Sequence, residues 1–253
     1  MNNISAKELI ESYQSVSDDM VYNHPARLLP YQDRKLLVAI AKLLKPNSIV
    51  LDNGTFLGNS ATILAYANPD IKIISMDSYE YGAVGAGHQA EKDNINCWSH
   101  DDIGLTERVC GKNKKRILEN IASAPANNFK NILFLEGKSP YSFKEPEKNP
   151  TEIDVYVEDA THNEPNFSDN LNYWIPKIKK NGLLVLHDYR PYLDYEKMCR
   201  VAVRAKHNLW FKEIISKVND LKKDKNWEYL METACELGHI VDCPAYVVFK
   251  KLN

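Results

Sequence analysis

The chain has 253 residues, 44% of them hydrophobic and 26% charged, with 32 Lys and Arg against 34 Asp and Glu. That length supplies a full hydrophobic core, and the composition excludes a disordered or fibrous chain. A formal charge of −2 leaves no cationic excess for a nucleic-acid backbone, and no run approaches the roughly 18–20 apolar residues of a membrane span.

In chain order, Ala6–Ser15 and Asp33–Leu44 carry amphipathic helical patterns, the second stopped by Pro46. The first apolar run, Ser48–Asp52 (SIVLD), leads through Asn53, Gly54, Thr55 and Gly58 into a helix over Ser60–Ala67. Glycine lets such a turn take positive φ or approach a ligand closely, and Asn59 or Ser60 can cap the helix. The two glycines stand four apart, which is not the G-x-G-x-x-G spacing that cradles a dinucleotide pyrophosphate. A second run, Ile71–Met76 (IKIISM), delivers Asp77 and Ser78. From Ser78 to about Lys112 no periodicity is strong; the stretch holds His88, Trp98, His100, Asp101 and Asp102 and is expected to form a substrate-facing lid.

A helix over Lys114–Ser123 precedes the third run, Asn131–Leu135 (NILFL), which ends in Glu136, Gly137, Lys138 and Ser139. The fourth run, Ile153–Val157, ends in Glu158, Asp159, Ala160, Thr161 and His162. Phe167–Ile178 reads as a helix with Leu171, Trp174, Ile175 and Ile178 on one face, and the fifth run, Leu183–His187, continues into Asp188 and Tyr189. Tyr195–Val218 reads as helical, the lysine-rich piece at 222–225 as a solvated helix end, and Ala245–Lys250 as an alternating terminal strand. Five scattered cysteines without a C-x-x-C pair suggest neither a disulfide framework nor a thiolate zinc site. With a polar start that lacks the apolar block of a signal peptide, the expected location is cytoplasmic.

Strands alternating with helices predict an α/β fold built on a right-handed parallel sheet. Ligands of doubly wound sheets bind outside the carboxyl ends of the strands. Each of the five runs delivers an acid there: Asp52, Asp77, Glu136, Glu158 with Asp159, and Asp188. Such a row repels itself unless something cationic or rich in hydrogen-bond donors sits among its members. Asp77 lies 19 residues after Gly58, where an acid accepts hydrogen bonds from a ribose diol.

Asp52-x-Gly54-x-x-x-Gly58 followed by Asp77 resembles motif I and the ribose-binding acid of class I S-adenosylmethionine-dependent methyltransferases. The resemblance implies a Rossmann-like, doubly wound, mostly parallel seven-stranded sheet with an antiparallel last strand. One domain over 1–253 would carry N-terminal helices (about 5–45), the lid (about 78–112) and a helical C-terminal insertion (about 195–235). The implied cofactor site comprises Asp52, Gly54, Thr55, Gly58, Asn59, Ser60, Asp77, Ser78, Gly137, Ser139 and Asp159.

Asp159-Ala160-Thr161-His162, Trp174-Ile175-Pro176, Gly182 and His187-Asp188-Tyr189 are similar to the branch containing the macrolide-sugar O-methyltransferases, over roughly residues 33–190. This likeness implies methyl transfer to a small hydroxylated acceptor, such as a sugar or glycosylated metabolite. It also implies a divalent cation, Mg2+ or Mn2+, on Asp159, Asp188 and His187, with His162 as general base and Asp159 as a second catalytic residue. Lys138 and Thr161 depart from the family pattern, at an adenine contact and at a carboxylate near the metal; either the site is weaker for metal, or Glu158 replaces that carboxylate, or the chain works without a metal. The remaining alternatives are a non-catalytic ligand-binding protein of the same fold and a nicotinamide-dependent oxidoreductase. Neither nucleic acid nor membrane is an expected partner, whereas the terminal helices offer surfaces for a homo-oligomer.

Overall fold

The computed structural model describes residues 3–22, 31–54, 58–77, 130–143, 149–160, 165–189, 202–233 and 245–253. The expected lid, the helix over 114–123, and Thr55, Ser78, Thr161 and His162 lie outside the described residues.

Seven strands form one sheet: β1 (Ile49–Asn53), β2 (Lys72–Asp77), β3 (Ile132–Glu136), β4 (Ile153–Glu158), β5 (Ile178–Tyr189), β6 (Trp227–Glu232) and β7 (Ala245–Lys251). Their order is β3-β2-β1-β4-β5-β7-β6. The first five run parallel, and β7 lies antiparallel between β5 and β6. Chain order reverses between β1 and β4, so a crevice opens at their carboxyl ends.

Val50, Val155, Val157, Val185 and Val248 face one side, packed with residues of α1 (Ala6–Ser15), α3 (Tyr31–Leu43) and α4 (Asn59–Ala67). Leu51, Tyr156, Leu184, Leu186 and Phe249 face the other, against Phe167, Leu171 and Trp174 of α5 (Asn166–Trp174) and Ile214 and Val218 of α6 (Ala202–Lys223). A sheet covered on both faces favours apolar residues at successive positions, which is why its central strands are predominantly apolar, with polar residues such as Asp52, Ser75 and Asp154 buried in hydrogen bonds. The short helix α2 (Asp18–Tyr22) packs on α3.

Three expected boundaries move. The helix over 167–178 ends at Trp174, passes through a 3-10 turn over Ile175–Lys177, and gives Ile178 to β5. Lys251 Nζ donates to the carbonyls of Ile175 and Ile178 at 3.1 and 2.8 Å, satisfying acceptors that a helix end leaves open. The C-terminal segment is not helical to 235: α6 stops at Lys223, and Trp227–Glu232 pairs with β7 as the sheet's last strand. Neither Asn59 nor Ser60 caps α4, since its N-cap is Gly58, in the left-handed region at φ 74°, without a side-chain cap bond.

Candidate active site

The turn after β1 is built around Asp52, which is fully buried. Its Oδ2 accepts from Ser75 Oγ on β2 at 2.6 Å and from Ser60 Oγ in the first turn of α4 at 3.0 Å. Ser60 therefore ties the helix to the strand instead of capping it. Asp52 Oδ1 has no partner among the described residues. Burial raises this carboxyl's pKa, the two serine bonds oppose it, and the charges of Asp159 and Asp77 add to it, leaving the group at about 7. A buried acid with one open oxygen suits a cationic group of a ligand.

Gly54 has φ 104°, and a Cβ there would stand 2.3 Å from the Asp159 carbonyl oxygen and 2.6 Å from Ala160 N. What Gly54 admits in this structure is the backbone leaving β4, which it lets pass against β1; Asp159 N donates to Asn53 O at 2.8 Å. That contact carries Asp159 to the crevice. At the neighbouring ends, Gly137 N donates to Asp77 O at 2.8 Å, and Ser139 Oγ accepts from Trp174 Nε1 at 3.0 Å. The Ser139 hydroxyl thus has a structural partner, while Glu136 and Lys138 are exposed.

Glu158, the last residue of β4, is buried and serves the framework. It accepts from Asn53 Nδ2 at 2.7 Å, Ala160 N at 3.2 Å, Asn170 Nδ2 at 3.4 Å and the Tyr156 hydroxyl. Among the described residues it does not join the donor cluster beside it.

That cluster is Asp159, His187 and Asp188, one ligand atom of each lying within 4.8 Å of the others. Consecutive strand residues normally point to opposite faces. Here the pairing of β5 with β7 shifts between Leu186 and Tyr189, and Asp188 takes φ 58°, so a bulge brings two adjacent side chains together. His187 Nδ1 lies 2.7 Å from Asp159 Oδ1 and 3.6 Å from Asp188 Oδ1; Nε2 lies 3.4 Å from Asp33 Oδ2. Burial alone lowers the imidazole's pKa, but the charges of Asp159 and Asp188 and the hydrogen bonds to Asp159 and Asp33 carry it well above 6.5. These three carboxylates thus favour the protonated ring, and a metal held by Nδ1 would take the place of its proton there. A mixed set of two carboxylates and one imidazole fits a divalent cation such as Mn2+.

The structure therefore brings together Asp52, Gly54, Asp159, His187 and Asp188, with Asp77 one strand away. Three groups were not foreseen. Asp33 sits on α3, Thr233 follows β6, and Tyr246 on β7 packs its ring 4.4 Å from that of His187. The Tyr246 hydroxyl is buried without a partner among the described residues; burial, then the charges of Asp159, Asp33, Asp52 and Asp188, push its pKa well above 10. Asp33 had a signal: it shares the apolar face of its helix with Leu36, Leu37 and Ile40.

A family model described as "Methyltransferase domain" matches residues 51–189, more than half of the chain. The chain belongs to this methyltransferase family. The match starts inside β1 and ends with β5, so it spans every strand end described above and displaces the nicotinamide oxidoreductase alternative. The fold of the methyltransferase is similar to that of an O-methyltransferase from Bacillus cereus in complex with S-adenosylhomocysteine (SAH), at TM-score 0.54 and 12% identity over 97% of this chain and 90% of that one. It is also similar to O-methyltransferase TomG from Streptomyces achromogenes, involved in tomaymycin synthesis and bound to S-adenosylmethionine, at TM-score 0.53 and 12% identity over 98% and 97%. No curated protein matches the sequence. Among the described residues of the methyltransferase, no helix is long and apolar enough to cross a membrane.

Proposed function

We propose that this methyltransferase moves the methyl group of S-adenosylmethionine to a hydroxyl oxygen of a small hydroxylated acceptor, such as a sugar or glycosylated metabolite. The observation that carries the reading is the cluster of Asp159, His187 and Asp188 at the carboxyl ends of β4 and β5, beside the buried Asp52 of the cofactor turn. The cofactor supplies an electrophilic methyl on a sulfonium. Asp52 offers its open Oδ1 to the cationic methionine end, and Asp77, at the end of the adjacent strand, receives the ribose diol. Asp159, His187 and Asp188 would hold the divalent cation, which when bound would supply a charge for orienting the acceptor's hydroxyl groups. His162, three residues beyond Asp159, is the assigned base for the hydroxyl proton, and alignment of oxygen with methyl supplies much of the rate.

Calorimetry with SAH tests the cofactor half: binding is expected, weakened at least tenfold in Asp77→Ala. No heat at millimolar SAH refutes it. Methyl transfer to a panel of hydroxylated acceptors, with Mn2+ or with chelator, tests the acceptor half; transfer confined to amine or carbon acceptors overturns it.

A further inference from the structure

The cation site needs more than three ligands pointing inward. An imidazole can give Nδ1 to a metal only when its remaining proton sits on Nε2 and the ring is held at the right angle. In this chain the group that faces Nε2 is a carboxylate from outside the parallel sheet: Asp33 of α3, with Oδ2 at 3.4 Å. Asp33 is 1% exposed, and its other oxygen accepts the Thr233 hydroxyl at 2.6 Å. Thr233 Oγ1 in turn accepts Tyr246 N–H at 2.9 Å, and the Tyr246 ring packs on His187 at 4.4 Å. Contacts from α3 and from β7 thus converge on one ring, and the residue after β6 is hydrogen-bonded to both of the residues that make them.

Burying a carboxylate costs several kcal/mol unless its partners are worth the cost, and an apolar residue would serve packing against Leu36, Leu37 and Ile40 equally well. A use that an apolar residue cannot supply is acceptance of the Nε2 proton. We propose that Asp33 is a positioning residue of the cation site, which takes the Nε2–H of His187 and thereby turns Nδ1 toward Asp159 and Asp188, while Thr233 holds Asp33 in place. The inference rests on the reading of Asp159, His187 and Asp188 as cation ligands. It assigns the N-terminal helix α3 a part in the site that lies outside the matched family segment, 51–189.

The test uses the full chain and Mn2+ itself, with the free-ion paramagnetic resonance signal reporting uptake and pulsed resonance reporting nitrogen coupled to bound Mn2+. Wild type is expected to take up Mn2+ with one coupled nitrogen, abolished in His187→Ala. Asp33→Asn should weaken Mn2+ about ten- to hundredfold, the range typical of partners behind a ligand. At saturating Mn2+ its nitrogen coupling should be reduced or lost, an effect that general destabilisation would not produce. Thr233→Val should weaken Mn2+ in the same direction, and Thr233→Ser should restore it, so the inference does not depend on one variant folding. No uptake by wild type at millimolar Mn2+ overturns the cation site and this inference with it. Uptake by wild type, with affinity and nitrogen coupling unchanged in Asp33→Asn, overturns the positioning role alone.

Discussion

Replacing Asp52 by Asn separates what this carboxylate costs the fold from what it does for the cofactor. In the unfolded chain its proton leaves near 3.8, whereas in the folded protein burial and the nearby acids retain it to about 7. Between those values the native state binds the extra proton, so stability falls as pH rises through the interval and the loss is complete above about 7. At about 1.36 kcal/mol per pH unit, the gap between 3.8 and about 7 gives an upper figure of about 4 kcal/mol. Asn keeps an oxygen for Ser60 and Ser75 but cannot ionise, so ligand-free Asp52→Asn should lack this slope. Urea unfolding should find the variant and wild type alike at pH 4 and the variant more stable by up to about 4 kcal/mol at pH 8. SAH affinity should move the other way, falling about ten- to hundredfold, since a charged hydrogen bond is worth about 1.5–3 kcal/mol. Gain of stability with loss of binding is the mark of a carboxylate kept for function. Parallel stability profiles from pH 4 to 8, or a variant less stable at pH 8, would refute the reasoning.

Gly54→Ala should destabilise by about 2–5 kcal/mol, from left-handed strain and a Cβ driven into the Asp159 backbone, and should weaken Mn2+ as Asp159 shifts; unchanged urea midpoints would contradict this. Glu158→Gln should leave Mn2+ affinity within about threefold, whereas Asp159→Asn should weaken it more than tenfold, and the reverse order would place Glu158 among the ligands. Glu158→Ala, which strips the acceptor from Asn53, Tyr156, Asn170 and Ala160 N, should cost about 3–5 kcal/mol in denaturant unfolding, and a loss below about 1 kcal/mol would show that these donors find other partners.

The parallel strands were legible because both faces of the sheet are covered, so the apolar residues of Ile49–Asn53 and Ile153–Glu158 follow one another closely instead of alternating with polar ones. β6 was not, because Trp227–Glu232 buries only Leu230 and carries an acid near each end, as edge strands do. Ile178 was misassigned for a definable reason: it stands four residues after Trp174 and joins the same apolar cluster, so helical spacing and a strand start predict the same burial. In the site, the acids at strand ends could be found from topology alone. Asp33 could not be joined to His187, from which it is separated by 154 residues, because nothing local in a helix tells which strand end its buried carboxylate will meet.

The row of strand-end acids also turns out to be tolerated in more than one way. Glu158 is met by hydrogen-bond donors, Asp159 and Asp188 face the ring of His187, Asp52 holds its proton to about 7, and Glu136 is exposed. The chain thus supplies partners of its own, and these five of the six strand-end carboxylates do not by themselves demand a bound metal. The case for one rests instead on the bulge at His187 and Asp188. Left-handed backbone at a non-glycine residue is costly, and a regular strand would have placed these two side chains on opposite faces. Strain that gathers three donor groups on one side of the sheet is better explained by a ligand they share than by charge balance, which His187 and Asp159 alone would have achieved.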